Sequence, residues 1–153
     1  VKLYVDSFVN QYKKIGYVAI YWPLKNEVDI RSLKDKISLA LPRCEDKKEL
    51  LFYPWDEKPL TKDSEGILSP NNSFSLSHEQ INLILVPCLS VDENLTRLGY
   101  GGGYFDKLRR DKNWRNVPCI GVLTSNCVSK IPLTRAEWDI PLSGFITEKK
   151  IFV

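Results

Sequence analysis

The chain has 153 residues, 43% of them hydrophobic and 27% charged, with a formal net charge of +3. That size and balance suit one soluble globular domain with a single core. No apolar run nears the roughly 20 residues that cross a bilayer, the N-terminus lacks the apolar centre of a signal peptide, and the charge is far from a nucleic-acid footprint, so we expect neither a membrane nor a nucleic-acid partner. The four cysteines, Cys44, Cys88, Cys119 and Cys127, form no C-x-x-C pair, and His78 is the single histidine. This argues against a structural zinc site and for a reducing, cytoplasmic setting.

In chain order, Val1, Tyr4, Val5, Phe8 and Tyr12 fall near helical spacing and predict an amphipathic helix from Val1 to Lys14, stopped by Gly16. Tyr17 to Trp22 is aromatic and β-branched, a strand ended by Pro23. Ile30 to Ala40 reads as a short helix and Leu50 to Tyr53 as a strand. Thr61 to His78 is polar and turn-rich and reads as a surface loop. Ile81 to Val86 is nearly all apolar, the pattern of a central strand buried on both faces. Cys119 to Leu123 repeats that pattern more weakly, and Phe145 to Thr147 is a last short strand. Strands alternating with helices predict a single α/β domain around a mostly parallel sheet.

The stretch Arg97-Leu98-Gly99-Tyr100-Gly101-Gly102-Gly103-Tyr104-Phe105-Asp106 holds four of the eight glycines. It lies between the strand at 81–86 and a predicted helix, Tyr104 to Arg110. Glycines let backbone N–H groups approach phosphate oxygens, and a helix start adds partial positive charge. The chain has no G-x-x-x-x-G-K-[ST], and G-x-G-x-x-G fails because Tyr104 stands at its last position. Arg97 before the glycines and Asp106 after them favour a cradle for a nucleotide phosphate and its metal; a tight glycine turn without a ligand is the alternative.

Asp106, in the first helical turn, can share space with phosphate only across a cation such as Mg²⁺; otherwise it complements the helix dipole. Asp139 lies in a loop from Pro132 to Pro141, where an exposed acid is the default. Glu27 follows the first strand, where ligands of parallel sheets bind; a capping acid before Ile30 is the alternative. His78 has no serine and aspartate arrangement to join, so chemistry driven by electrostatics on phosphate fits better than histidine acid–base catalysis.

Together with Pro87, the glycine stretch resembles the signature of the 5-formyltetrahydrofolate cyclo-ligase family, also called 5,10-methenyltetrahydrofolate synthetases. Asn26-Glu27-Val28 resembles its early acidic motif, Leu41-Pro42 and Gly66-Ile67 two weaker landmarks, and Trp138-Asp139 with Phe145-Ile146-Thr147-Glu148 its C-terminal segment. The resemblance implies a three-layer α/β sandwich and conversion of 5-formyltetrahydrofolate to 5,10-methenyltetrahydrofolate with ATP and Mg²⁺, releasing ADP and phosphate. ATP would phosphorylate the formyl oxygen, N10 would attack that carbon, and phosphate would leave. By position, Arg97, Leu98, Gly99, Tyr100, Gly101, Gly102, Gly103, Tyr104 and Phe105 would hold ATP, with Arg97 and Tyr104 catalytic. Asp106 and Asp139 would bind Mg²⁺, Glu27 would hydrogen-bond the pterin, and Trp22 would line its pocket.

The resemblance also implies a helix with a Lys-x-x-Leu-Arg motif before Val1. Two positions depart from the family pattern: Ser69 stands for the usual Glu, and Trp138 for the usual His. We expect a monomer. A non-catalytic nucleotide- or folate-binding relative is the alternative reading.

Overall fold

The computed structural model describes residues 1–13 and 16–153. The predicted first helix is α1 (Lys2–Val9), continued by a 3₁₀ turn, Asn10–Tyr12; its expected last residue, Lys14, lies outside the described residues. The chain then runs through β1 (Tyr17–Ala19), β2 (Leu39–Cys44), β3 (Leu50–Pro54), β4 (Leu60–Lys62), β5 (Leu68–Pro70), β6 (Ile81–Pro87), β7 (Ser90–Val91), β8 (Arg97–Leu98), α2 (Tyr104–Arg110), α3 (Lys112–Arg115), β9 (Cys119–Val122), β10 (Gly144–Ile146) and β11 (Ile151–Phe152).

Seven strands form one sheet in the order β11-β10-β9-β6-β1-β2-β3. Its centre, β10 to β2, is parallel, while β3 and β11 add to the edges antiparallel. Successive strand residues point to opposite faces. Val18, Leu39, Leu83, Leu85, Ile120 and Ile146 pack with Val5 and Val9 of α1 on one face. Ala19, Ala40, Ile84, Val86, Cys119 and Phe145 pack with Phe105, Leu108 and Trp114 of α2 and α3 on the other. These are the three layers of the expected sandwich. The central strand is dry on both sides: Leu83, Ile84, Leu85 and Val86 are fully buried, so its continuous apolar run has a direct physical reason. No described helix is long and apolar enough to cross a membrane.

The first strand ends at Ala19 rather than at the expected Trp22, and two further sequence expectations are corrected. The segment read as a helix over 30–40 is a 3₁₀ turn, Arg31–Asp35, followed by the start of β2. Ile30 and Leu33 bury like helical neighbours, but Leu39 and Ala40 are drawn into parallel pairing with β1, a tertiary override of local pattern. The segment read as a loop over 61–78 holds a two-stranded hairpin, β4 with β5, and a 3₁₀ turn, His78–Gln80, closed by a capping box between Ser77 and Gln80. His78 rests edge-on against Trp114.

Candidate active site

The sheet changes winding direction between β1 and β6. Strands from the first half of the chain lie to one side of that seam, and strands from the second half to the other. The crevice beyond the carboxyl ends at such a point is where α/β sheets bind ligands. A cavity of about 380 Å³ opens there. Tyr21, Trp22, Leu24 and Glu27 reach it from the segment after β1, Pro87 from the end of β6, Arg97 from β8, and Tyr100, Gly102, Gly103, Tyr104 and Phe105 from the glycine loop and α2.

The cavity thus brings Trp22 and Glu27 together with Arg97, Tyr100, Gly102, Gly103, Tyr104 and Phe105. Leu98, Gly99, Gly101, Asp106 and Asp139 lie outside its lining. Gly101 and Gly103 hold φ of +86° and +74°, backbone that favours glycine. Gly99 serves differently, because a Cβ there would press on the Arg97 guanidinium. Arg97 Nε donates to the Pro87 carbonyl at 3.0 Å, and the guanidinium lies over the Phe105 ring and 3.8 Å from Asp106. The cation is therefore fixed from three sides before any ligand arrives. Since α2 has seven residues, Arg97 rather than a long helix dipole dominates the positive field here.

Facing it, Glu27 Oε2 accepts the Leu24 N–H at 2.8 Å. It closes its own turn rather than capping the 3₁₀ turn after Ile30. Burial raises its carboxyl above the ordinary value, against the Leu24 N–H and the Arg97 charge, which lower it. Tyr21, buried at the base, donates from its hydroxyl to the Val28 carbonyl at 2.6 Å, and burial pushes its phenol far up. Trp22 stacks edge-on with Trp55 and carries the Arg31 guanidinium over its face.

The sequence touched a further wall only through two weak landmarks, Pro42 and Ile67. Pro42, Cys44 and Leu50 of the β2–β3 hairpin, and Asp63, Glu65 and Ile67 of the β4–β5 turn, also line the cavity. An Asp-Ser-x-Gly sequence signals a turn, but nothing local says where the turn docks. Asp63 docks it: Oδ2 accepts the Cys44 N–H at 2.8 Å, and Oδ1 accepts those of Glu65 and Ile67 at 2.9 and 3.0 Å. Ser64 Oγ donates to the Cys44 carbonyl at 2.7 Å. Burial, with Asp63 beside it, pushes the Cys44 thiol up to about 12, so it is an inert wall residue at neutral pH.

Among the described residues no three His, Cys, Asp or Glu side chains cluster to hold a metal. Mg²⁺ needs only one or two carboxylates when phosphate oxygens complete its shell, and half-exposed Asp106 beside Arg97 fits that use. Asp139 lies in the loop that α2 grips, where buried Arg109 donates to the carbonyls of Ile140 and Pro141 at 2.9 Å each. Its own Oδ2 accepts the Ala136 N–H.

The 5-formyltetrahydrofolate cyclo-ligase family profile matches residues 7–148. A Haemophilus influenzae 5-formyltetrahydrofolate cyclo-ligase is 28% identical over 82% of this chain and 72% of its own length. The Escherichia coli K12 enzyme of that name is 31% identical over 67% of this chain and 56% of its own length. The solved 5,10-methenyltetrahydrofolate synthetase of Aquifex aeolicus superposes with a TM-score of 0.79 at 31% identity, covering 99% of this chain and 79% of that one. That of Mycoplasma pneumoniae gives 0.70 at 25%, covering 95% and 80%. The matched span takes in β1 to β10, the glycine loop and Glu27, and the chain belongs to the 5-formyltetrahydrofolate cyclo-ligase family of enzymes.

Proposed function

We propose that this chain converts 5-formyltetrahydrofolate to 5,10-methenyltetrahydrofolate, consuming ATP. What supports this reading best is one cavity with two unlike walls: a fixed cation on a glycine loop, and a half-buried acid beside aromatic side chains. The first wall suits a polyphosphate and the second a flat, N–H-rich pterin. An amide oxygen is a poor leaving group, whereas phosphate is a good one. Phosphoryl transfer to the formyl oxygen therefore prepares the carbon for attack by N10, which closes the ring as phosphate departs.

In this reading Arg97 neutralises charge on the transferring phosphoryl, work that is electrostatic rather than covalent. The backbone of Gly99 to Gly103 cradles the phosphate chain, and Tyr100, Tyr104 and Phe105 border it. Glu27 accepts pterin N–H donors and Trp22 covers the ring. Asp106, with Asp139 across the Arg109-held loop, would hold Mg²⁺, which would supply charge neutralisation between the phosphates. We assign the enzyme to the cytoplasm, as a monomer with small-molecule partners only.

The test is to mix the protein with 5-formyltetrahydrofolate, ATP and Mg²⁺ and follow methenyl absorbance. Product that depends on all three supports the assignment. Nucleotide or folate binding without product would mark a non-catalytic relative, and neither binding nor product would refute it.

A further inference from the structure

Glu65 sits on the exposed tip of the β4–β5 hairpin, yet its carboxylate crosses the cavity mouth. Its Oε1 accepts the Tyr104 hydroxyl at 2.5 Å, between residues 39 apart in the chain. Both side chains line the cavity, one from each wall. The tip is stiff, because Asp63 bonds the Glu65 and Ile67 amides within the turn, and its bond to Cys44 and that of Ser64 fix the turn to the end of β2. Tyr104 is no loose surface ring either: it opens α2, packs against the core below, and its ring would meet a Cβ at Gly102 at 3.2 Å. A second crossing runs beside the first, where Lys48 Nζ donates to the Gly102 carbonyl and Lys107 Nζ to the Lys47 carbonyl.

We propose that Glu65 is a positioning residue: through its hydrogen bond it holds the Tyr104 ring against the glycine loop, so that the loop presents its ligand-binding shape before a ligand enters. The part of the test that reads turnover rests on the function proposed above; the hydrogen-exchange part does not.

The experiment is amide hydrogen exchange of the ligand-free protein against Glu65→Ala, Glu65→Gln and Tyr104→Phe. Glu65 is exposed, so its variants keep the fold, as circular dichroism would verify. Glu65→Ala and Tyr104→Phe should each speed exchange at Gly101 to Tyr104 while leaving the sheet unchanged, and Glu65→Gln should stay near wild type. Unchanged exchange at the loop in Glu65→Ala would overturn the latch. In turnover, Glu65→Ala should raise the KM for ATP about fivefold with kcat held within about twofold, and Glu65→Gln, still an acceptor, should recover most of the loss. An unchanged KM, or an equal fall in kcat, would overturn the positioning role. Wild-type protein without turnover would refute the proposed function and leave hydrogen exchange to decide the latch.

Discussion

Replacing Asp63 by Ala should loosen one wall of the cavity without touching the other. The Asp63 carboxylate satisfies three backbone N–H groups, of Cys44, Glu65 and Ile67. The Cys44 amide belongs to a buried residue at the end of β2, beyond the two positions where β2 pairs with β1. The paired Glu45 N–H and Glu49 carbonyl next along, with antiparallel alternation, turn the Cys44 amide away from β3, so Asp63 is its partner. At about 1 kcal/mol net for each lost bond, the cost is about 3 kcal/mol. A chain of this size loses roughly 2–4 °C of Tm per kcal/mol, so the melt should fall by about 6–12 °C. Asp63→Asn keeps the size and one acceptor but turns an NH₂ toward an N–H, and should cost about half as much. Calorimetry reads the global effect. Amide hydrogen exchange reads the local one, with faster exchange concentrated at Cys44, Glu65 and Ile67. If both variants melt within about 2 °C of wild type, or if exchange rises evenly over the sheet, the clamp does not hold the hairpin as argued.

Arg109→Ala removes two charge-assisted bonds to the Ile140 and Pro141 carbonyls from a buried position; a loss of roughly 3–5 kcal/mol should show as a melt lowered by roughly 6–20 °C. Asp106→Ala, at a half-exposed carboxylate with a 3.8 Å partner, should abolish Mg²⁺-supported turnover while moving Tm by less than about 2 °C; wild-type turnover across a Mg²⁺ series would end its metal role. Glu27 gives a pH signature. Its folded carboxyl titrates above the ordinary range because of burial, so the folded state binds that proton more tightly than the unfolded chain. The stability of wild type minus that of Glu27→Gln, from denaturant melts, should then be greatest below about 4.3, fall as pH rises through the raised folded value, and flatten above it. A difference that grows with pH would contradict the buried-acid assignment.

What the sequence disclosed followed from where the controlling interactions lie. The strand at Ile81 was legible because burial on both faces demands an unbroken apolar run, and each residue carries that demand alone. The glycine stretch was legible for a related reason: positive φ at Gly101 and Gly103 and the crowding of Arg97 on Gly99 are requirements written residue by residue. The strand β2 was hidden, since Ile30, Leu33 and Ile37 mimic a helical face and Pro42 argues against a strand. Pro42 is tolerated because the β2–β1 pairing covers only Leu39 and Ala40. The Asp63–Glu65 wall was hidden because its bonds join polar residues to partners 19 and 39 positions away, and no local periodicity encodes such a meeting. Glu27 lines the cavity, where its position after a parallel strand led us to expect it, and its carboxylate closes the turn at Leu24 rather than capping before Ile30.

The seam between β1 and β6 has a consequence for how the molecule holds together. Residues before β6 build one flank of the sheet and residues from β6 onward build the other, so the chain is two contiguous halves joined along a single strand pairing and their facing layers. Anything bound in the crevice touches Trp22 and Glu27 on one half and Arg97 and Tyr104 on the other. It would stitch the halves together, adding about 2.7 kcal/mol at a hundredfold excess over Kd. Two fragments divided in the stretch before Ile81 should accordingly reassemble best in the presence of their ligand, which makes the cavity a device for keeping the protein in one piece as well as a place for chemistry.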